Sequence, residues 1–345
     1  CAPSRARLMT VRYHNHFRFE YNIVTYYAAP DHTLEDAGLD PAEKTIADHL
    51  KPLGYSTAAI GKWHLGAEDK HHPNNRGFDY FYGIPASMNF GILTYIENKR
   101  ITEKPELWTA KKSNDDAIDD FRFKPPYENT SDLNYFNYKS NIQIEIAPNF
   151  KDYETLSILT DKALEWLEKQ QKKDDPFFLY LPYTSPHKPV CPHKKFRGKT
   201  EVGWYGDFMR ETDYHIGRIL EVIKDFGLKE DTIIIFTSDN GPETTYQKRR
   251  EIYNHDSAGG LKGGKRDLYE GGHRVPFIIR WPGVIESGVI CREPVCQIDL
   301  MATFADMLGE ELPDDQGEDS FNLLPILQGD DYPELLRGPM IHHSI

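Results

Sequence analysis

"YSTAAIGKWHLG" (residues 55–66) combines a short apolar run with two basic side chains, and the fold is predicted outward from it. The apolar run predicts a β-strand. The preceding segment, residues 43–54, carries apolar residues at helical spacing and ends on Gly54, a residue that commonly stops helices. A helix followed by a buried strand is the repeating unit of an α/β fold.

The same alternation of helix and strand continues along the chain. Further strands are predicted at residues 176–183, 231–238 and 273–283, and further helices at residues 154–171, 205–227 and 297–309. The strands are continuous apolar runs, as in a parallel sheet that is covered on both faces. The sequence therefore predicts an α/β fold with a mostly parallel central sheet sandwiched by helices. Residues 111–141 lack periodicity and are predicted to form an irregular insertion.

Polar residues with catalytic potential follow the predicted strands, at the sheet edge where α/β proteins bind ligands. They are Lys62 and His64 after the first strand, His187 after the second, Asp239 and Asn240 after the third, and Lys262 and Lys265 in the glycine-rich loop before the fourth. Lysines and a divalent metal would neutralise a tetrahedral oxyanion such as sulfate or phosphate. A histidine can serve as the general acid, and carboxylate and amide oxygens suit Ca²⁺ or Mg²⁺.

Each of these residues also has a structural explanation. His187 lies in a proline-bounded loop, and "DNG" (residues 239–241) is a common turn sequence. Lys62 and His64 flank Trp63 and could be a solvated lysine and a core histidine. Their coincidence at one predicted edge of the sheet favours a functional site over independent turns.

Composition limits the classes of partner. The chain has 41 Lys and Arg against 54 Asp and Glu, a net charge of −13, which argues against nucleic-acid binding. An anionic substrate would need a local positive pocket. No apolar run is long enough for a transmembrane helix. The four cysteines contain no C-x-x-C pair, which argues against a cysteine zinc site, and Cys291 and Cys296 could form a disulfide or remain free.

The chain resembles the type I sulfatases of the alkaline phosphatase superfamily. The C-x-P-S-R signature is present as "CAPSR" (residues 1–5), and it is followed in the order typical of that family by "GYSTAAIGKWHLG", "PFFLYLPYTSPHKP", "TSDNG", "YEGGHRVPFIIRWPG" and "QIDLMATFADMLG". The resemblance covers roughly residues 1–330, which are predicted to be the catalytic α/β domain.

The resemblance implies that Cys1 is the precursor of Cα-formylglycine, made by a formylglycine-generating enzyme. A hydrated aldehyde offers one hydroxyl to attack sulfur and a second whose collapse expels sulfate, whereas a thiolate would form a stable adduct. By the same resemblance, Arg5 holds the hydrate, Lys62 and His64 contact the hydrate and the sulfate, and His187 protonates the leaving oxygen. Asp239 and Asn240, together with the modified Cys1, would bind Ca²⁺, with Mg²⁺ as the alternative.

Further implications concern the glycine-rich loop and the two ends of the chain. Lys265, five residues before Glu270, has the spacing of the sulfate-binding lysine of the family and is preferred over Lys262. Val11 stands where the family usually has glycine. The resemblance also implies two more metal-binding aspartates on a strand about forty residues before Cys1, and residues 331–345 as the start of a small C-terminal antiparallel subdomain. The chain is therefore expected to be a fragment that lacks both ends.

The expected function is hydrolysis of a sulfate ester, either a sulfated carbohydrate or an aryl sulfate. The alternatives are a phosphodiesterase or phosphonate monoester hydrolase of the same superfamily, or an inactive sulfatase-like binding protein. Basic residues at 193–199 are expected at the rim of the pocket. By resemblance, the expected location is the periplasm, the extracellular space or the lysosome.

Overall fold

The computed structural model describes residues 1–17, 19–20, 23, 37–89, 92–110, 112–113, 121–122, 143–330 and 337–342. Within these residues the helices are α1 (Ala2–Thr10), α2 (Ile46–Leu50), α3 (Thr155–Gln170), α4 (Gly203–Asp225), α5 (Tyr246–Tyr253), α6 (Glu270–His273), α7 (Leu300–Leu308) and α8 (Leu324–Gln328). The strands are β1 (Ser56–Lys62), β2 (Tyr80–Ile84), β3 (Ile96–Glu97), β4 (Arg100–Ile101), β5 (Leu107–Ala110), β6 (Lys112–Ser113), β7 (Phe121–Arg122), β8 (Gln143–Ile146), β9 (Phe177–Tyr180), β10 (Ile234–Thr237) and β11 (Phe277–Arg280).

A five-stranded sheet in the order β4-β3-β2-β1-β9 forms the centre of the molecule. Strands β2, β1 and β9 are parallel, and β3 and β4 add to the β2 edge in antiparallel orientation. The predicted α/β class is confirmed, and three adjacent strands of the described sheet pair in parallel. The carboxyl ends of these strands are in register, since the N–H of Lys62 donates to Pro182 O at 2.9 Å. This alignment places the segments after β1 and β9 side by side.

Strand β1 is buried because it supplies side chains to both faces of the sheet. Ala58 and Ile60 belong to a core cluster with Leu159 and Ala163 of α3, whereas Ala59 packs in a second cluster with Met9 of α1. Alternation of successive side chains between the two faces follows from strand geometry. Helices are therefore needed on both faces of the sheet to keep these side chains from water, with α3 on one face and α1 on the other.

The first ten residues, which contain the signature, form helix α1 with Cys1 at its N-cap. The helix ends at Val11, which has a left-handed backbone with φ of 53°. This conformation explains why the family usually has glycine at the position of Val11, because glycine alone adopts it without steric cost. In this chain the Val11 side chain is fully buried in a core cluster with Tyr13 and Ile46.

The predicted strands at 231–238 and 273–283 form a separate pair. Strands β10 and β11 are antiparallel to each other, with Ile234 opposite Arg280 and Thr237 opposite Phe277. A cavity of 1020 Å³ lies between the outer edge of β9 and β10, lined by the residues of both strands. Phe236 of β10 is 40% exposed, although its strand has the apolar composition of a buried one.

The remaining predictions are tested only in part. Residues 111–141 lie outside the described part of the chain except for the short strands β6 and β7. Of the predicted C-terminal subdomain, residues 337–342 are described, and there Arg337 forms a buried ion pair with Asp299 at 2.9 Å. None of the four cysteines forms a disulfide, so Cys291 and Cys296 are not paired. No helix among the described residues has the length and apolar composition needed to cross a membrane.

Candidate active site

Two lysine side chains converge on Cys1. Lys265 Nζ lies 3.2 Å and Lys62 Nζ 3.6 Å from Cys1 Sγ. Lys62 is the last residue of β1, and Lys265 belongs to the glycine-rich loop before β11. Cys1 itself stands at the N-terminus of α1, where the helix dipole favours negative charge. The arrangement is therefore suited to an anion or a developing negative charge at the side chain of residue 1.

Arg5 lies one helical turn after Cys1 and joins the same cluster. Its Nε donates to Asp239 Oδ2 at 3.2 Å, and its Nη1 donates to Lys62 O at 2.7 Å. Positions i and i+4 share one face of a helix, which places Arg5 beside Cys1. Arg5 therefore connects α1 to the end of β1 and to the residue that follows β10.

Asn240 holds the backbone of Cys1. The backbone nitrogen of Cys1 donates to Asn240 Oδ1 at 3.0 Å. Asn240 Nδ2 donates to Gly241 O at 2.8 Å, and Gly241 N donates to Gly272 O at 2.9 Å. The turn after β10 is thus fixed against both α1 and the glycine-rich loop.

The charges of the cluster shift the pKa of its members. Burial, followed by the charge of Arg5, holds the pKa of Lys62 well below its ordinary value, and burial likewise lowers the pKa of Lys265. Burial would raise the pKa of Asp239, but the positive charges of Arg5 and the two lysines outweigh it and hold this pKa far below its usual range. Asp239 is therefore ionised and is the carboxylate that balances these cations.

The structure separates the two lysines of the glycine-rich loop. Lys265 is buried and its backbone N–H donates to Pro242 O at 2.7 Å, which ties the loop to the turn after β10. Lys262 is exposed, and its Nζ lies 3.7 Å from the centre of the Tyr269 ring. Only Lys265 of this pair contacts Cys1.

His187 faces the same cavity from the loop after β9. Its Nδ1 lies 2.7 Å from Lys188 O. Since a carbonyl only accepts, Nδ1 carries a proton, and Nε2 is the nitrogen that gains and loses one. Burial, followed by the charges of Lys62 and Lys265, holds the pKa of His187 well below its ordinary value.

His64 is buried behind Lys62. Its Nε2 lies 2.6 Å from Ile23 O, so this nitrogen carries the proton. The backbone of His64 has φ of 63°, so the chain turns after Lys62 and leaves the extended form of β1. Burial, followed by the charges of Lys62 and Arg5, holds the pKa of His64 well below its ordinary value.

Two residues that the sequence analysis did not single out support the site. Tyr180, the last residue of β9, accepts a hydrogen bond from Arg5 Nη1 at 3.4 Å. Gln297 Nε2 donates to Thr237 Oγ1 at 2.8 Å and to Ser238 O at 2.7 Å, which fixes the backbone just before Asp239. Tyr180 could have been identified from the sequence, because it ends a predicted strand whose carboxyl end faces the site. Nothing in the sequence indicates a role for Gln297, which begins a helical turn.

Oxygen donors for a divalent cation are present beside Cys1. The Asp239 carboxylate is ionised, and the Asn240 amide oxygen lies on the same turn next to the Cys1 backbone. These hard ligands fit Ca²⁺ or Mg²⁺, and they supply two of the six to eight oxygens that Ca²⁺ usually takes. Asp239 and Asn240 are thus suited to one side of a metal site.

A second group of possible metal ligands lies away from Cys1. His16, Glu318 and Asp319 place nitrogen and oxygen atoms close together on the surface. Arg12 Nη2 donates to Glu318 Oε1 at 2.6 Å. The guanidinium neutralises the carboxylate on which a cation would depend, so we assign no metal to this group.

Replacing Asp239 by asparagine is expected to destabilise the fold. The variant keeps the side-chain shape but leaves Arg5 and the two lysines without this carboxylate. Removing one partner of a buried ion pair costs about 3–5 kcal/mol, and exposed pairs contribute about 0–1 kcal/mol. The Asp239 side chain is 27% exposed, so we expect a loss of about 2–3 kcal/mol in the free energy of unfolding, measured by urea denaturation.

The matched control for Asp239→Asn is Asp69→Asn, which removes a carboxylate from the exposed pair with Lys99. We expect a much smaller loss for this control, because exposed ion pairs contribute little to stability. Equal losses in the two variants would contradict the role of Asp239 as the central counter-charge.

Comparison with known proteins identifies the family of this chain. The family model for sulfatases matches residues 1–310. The chain belongs to the sulfatase family. Members of this family generally use a formylglycine residue and a divalent metal ion.

Individual relatives act on different sulfate esters. The chain is 33% identical over 322 residues to an N-acetylgalactosamine-6-O-sulfatase of Bacteroides thetaiotaomicron, covering 85% of this chain and 62% of that protein. It is 33% identical over 362 residues to human steryl-sulfatase, covering 95% of this chain and 61% of that protein. The chain thus spans somewhat over three fifths of the length of these relatives.

Solved structures share the fold. A sulfatase of Bacteroides thetaiotaomicron from the metabolism of multiple glycosaminoglycans superposes with a TM-score of 0.75 at 29% identity, covering 96% of this chain and 72% of that one. A phosphonate monoester hydrolase from Silicibacter pomeroyi superposes with a TM-score of 0.59 at 19% identity, covering 97% of this chain and 68% of that one. The second likeness concerns the fold alone.

Proposed function

We propose that this protein hydrolyses a sulfate ester at Cys1. The observation that carries the proposal is the convergence of Lys62 Nζ and Lys265 Nζ on the Cys1 side chain at the N-terminus of α1. Two ammonium groups and a helix N-terminus form a positive pocket in a protein of net charge −13. Such a pocket compensates the charge of a bound sulfate group.

The side chains around Cys1 are proposed to have separate roles in binding the sulfate group and in orienting residue 1. Lys62 and Lys265 hold the sulfate oxygens and stabilise the charge that builds up on them in the transition state. Arg5, fixed by Asp239 and by Lys62 O, orients the side chain of residue 1. Formylglycine at position 1 would supply the hydroxyl that attacks sulfur.

His187 is proposed to protonate the leaving oxygen. Its Nδ1–H is committed to Lys188 O, so Nε2 is the atom that carries the transferable proton. Burial lowers the pKa of His187, followed by the positive charges of Lys62 and Lys265, and a bound anionic ester opposes the effect of these charges. Substrate binding is therefore expected to favour the protonated imidazolium that the step requires.

His187→Gln is expected to change the pH dependence of hydrolysis. Because the pKa of His187 is lowered in the free protein, its protonated fraction falls as pH rises above that lowered value. We therefore expect kcat/KM of the parent protein to decrease with rising pH, and His187→Gln to lose this dependence. For a sugar sulfate, whose leaving alkoxide is basic, we expect kcat to fall by about 10²–10⁴-fold.

The matched substrate for this prediction is 4-nitrophenyl sulfate, whose leaving group needs little protonation. Its hydrolysis should fall far less in His187→Gln than that of the sugar sulfate. An unchanged pH profile and equal losses on both substrates would argue against His187 as the acid.

We propose Ca²⁺, with Mg²⁺ as the alternative, held by Asp239, Asn240 and the modified residue 1. A bound divalent cation would add positive charge next to the sulfate. The other ligands are proposed to come from two aspartates on a strand that precedes Cys1 and pairs in the cleft between β9 and β10. Support for this strand comes from the 1020 Å³ cleft and from the exposure of Phe236 on β10.

Calorimetric titration with Ca²⁺ tests the strand. A form of the protein that carries the preceding segment should bind Ca²⁺ with an affinity at least about tenfold above that of residues 1–345 alone, because ligand number sets Ca²⁺ affinity. Equal affinities would exclude the strand as a source of ligands.

The substrate is proposed to be a sulfated carbohydrate in preference to an aryl or steryl sulfate. Support comes from the N-acetylgalactosamine-6-O-sulfatase relative and the glycosaminoglycan-metabolising structural neighbour. A higher kcat/KM on a sugar sulfate than on a steryl sulfate is expected, and the opposite order would overturn the carbohydrate preference. The sulfatase assignment itself is tested by comparing 4-nitrophenyl sulfate with bis(4-nitrophenyl) phosphate as substrates of the protein made with a formylglycine-generating enzyme. Faster turnover of the sulfate is expected, and faster turnover of the phosphodiester would overturn the assignment.

The maturation partner and location follow from the same proposal. Formation of formylglycine at Cys1 requires a formylglycine-generating enzyme that recognises "CAPSR". The proposed location is the periplasm, the extracellular space or the lysosome. Detection of the protein after cell fractionation tests the location, and recovery in the cytosolic fraction alone would contradict it.

A further inference from the structure

A positively charged segment leads away from the candidate active site. Residues 176–200 contain five Lys and Arg residues and no Asp or Glu, in a chain with 54 acidic residues. Within it we define the basic loop as residues 187–200, which begins with His187. A concentration of one sign of charge beside a binding pocket raises the local concentration of oppositely charged ligands.

The lysines of the basic loop are available to a ligand. Lys194, Lys195 and Lys199 are exposed. Within the part of the chain that the structure describes, none of these three forms an ion pair with a carboxylate. Exposed lysines elsewhere do form such pairs, for example Lys99 with Asp69 at 2.8 Å.

Buried carboxylates hold the backbone of the basic loop instead of neutralising its side chains. Asp207 accepts backbone hydrogen bonds from residues 198–200 at 2.7–2.9 Å, and Glu211 accepts one from His193 at 2.8 Å. Both carboxylate residues are 1% exposed. The backbone of the loop is therefore fixed to α4 through Asp207 and Glu211, and its lysine side chains remain at the surface.

Aromatic rings lie between the charges. Arg197 stacks 4.4 Å from the centre of the Trp204 ring, and Lys195 lies 4.2 Å from that of Tyr214. Trp204 is half-buried and Tyr214 is exposed. Alternating cations and aromatic faces suit a ligand that has both anionic groups and apolar ring faces.

The basic loop is continuous with the candidate active site. Lys188 and Trp204 line the same cavity as Asp239 and Lys265. His187, at the start of the loop, is also a cavity residue. His187 thus places the start of the basic loop at the candidate active site, and the exposed Lys194, Lys195 and Lys199 follow it along the chain.

We propose that the basic loop binds the anionic polysaccharide chain to which the scissile sulfate is attached, so that the substrate is a sulfated polymer or oligosaccharide and not a single sugar. This inference rests on the proposed sulfatase function and goes further by naming a binding surface and the size of the substrate. Sulfate groups repeated along a chain meet the lysines, and sugar rings meet the aromatic faces. DNA, anionic membranes and sulfated polysaccharides are all polyanions, so the choice of a sugar chain rests on the aromatic rings that lie between the cations.

The test is the triple variant Lys194→Gln/Lys195→Gln/Lys199→Gln, made with a formylglycine-generating enzyme. A chondroitin 6-sulfate hexasaccharide is compared with N-acetylgalactosamine 6-sulfate, which has the same scissile group. With about 0.2–1 kcal/mol for each exposed charge contact, we expect KM for the hexasaccharide to rise about tenfold and kcat to be unchanged. Kinetics on the monosaccharide should be unchanged.

The matched control is Lys99→Gln/Lys104→Gln/Lys229→Gln, which removes the same charge from exposed lysines outside the basic loop. This control should leave both substrates unaffected. Equal effects of the two triple variants on the hexasaccharide, or no effect of the first, would overturn the proposed surface.

A binding measurement separates failure of the surface from failure of the catalytic proposal. Unmodified protein with a Cys1 thiol is titrated with polymeric chondroitin 6-sulfate, duplex DNA and phosphatidylserine vesicles. Weaker binding of the polysaccharide by the basic-loop variant supports the surface even if wild-type protein cleaves no sulfate ester. Undiminished polysaccharide binding by that variant, or equally tight binding of DNA or vesicles by the wild type, would overturn it.

Discussion

Replacing Cys1 by alanine is expected to reduce sulfate ester hydrolysis by about 10⁴-fold or more, because loss of the attacking group removes the covalent route altogether. Cys1 is the residue on which Lys62, Lys265 and the N-terminus of α1 converge. The measurement is kcat on 4-nitrophenyl sulfate, with both proteins produced together with a formylglycine-generating enzyme. The substitution removes only the atoms beyond Cβ of a half-buried side chain, so we expect the free energy of unfolding to be nearly unchanged.

Cys291→Ala is the matched control for this substitution. Cys291 is an exposed free thiol at a distance from the cluster in sequence, so its loss should leave kcat unchanged. Activity of Cys1→Ala within about tenfold of the parent protein would show that another group attacks sulfur.

Replacing Lys265 by alanine is expected to have the second largest effect. Lys265 Nζ lies 3.2 Å from Cys1 Sγ, and the side chain is buried, so its charge acts in a site from which water is largely excluded. Loss of one preorganised donor to a developing oxyanion costs about 10²–10³-fold in kcat. We expect a decrease of this size on 4-nitrophenyl sulfate.

Lys262→Ala is a control from the same glycine-rich loop. Lys262 carries the same charge but is exposed and packs on Tyr269. We expect kcat for this variant to remain within about twofold of the parent value. Similar losses for Lys262→Ala and Lys265→Ala would mean that the loop contributes a general positive field and that Lys265 makes no specific contact.

The architecture was predictable because it follows from local patterns. Apolar runs and glycine stops located β1, β9 and the long helices α3 and α4 to within a few residues. Parallel strands bring their carboxyl ends to one edge, so the proximity of Lys62 and His187 follows from β1 and β9, whereas Asp239 follows β10, which lies outside this sheet. All three residues line one cavity.

The pairing of β10 with β11 could not be predicted from periodicity. A short apolar run has the same composition whether it pairs in parallel or antiparallel orientation. The antiparallel pairing of Ile234 with Arg280 is set by contacts between segments about 45 residues apart in the chain. The sequence pattern therefore located both strands without giving their orientation.

The local geometry of the site also depended on tertiary contacts. Arg5 of helix α1 is buried. Its burial requires an acidic partner, and this partner is Asp239, which lies 234 positions further along the chain. Arginines are mostly exposed in folded proteins, and the spacing of apolar residues gives no reason to expect a buried one. His64 likewise adopts a left-handed backbone that its residue type does not require. The roles of Arg5 and His64 were therefore predicted from the resemblance to the family. Residue chemistry alone indicates only which types of side chain suit such a site.

The most direct test of the central claim is peptide mass spectrometry over "CAPSR", combined with turnover of 4-nitrophenyl sulfate on the same samples. Samples with different aldehyde content are obtained by varying the level of the formylglycine-generating enzyme during production. We expect residue 1 to be found as formylglycine, and kcat to rise in proportion to the aldehyde fraction. Full turnover by protein in which residue 1 is entirely an unmodified thiol would contradict the account.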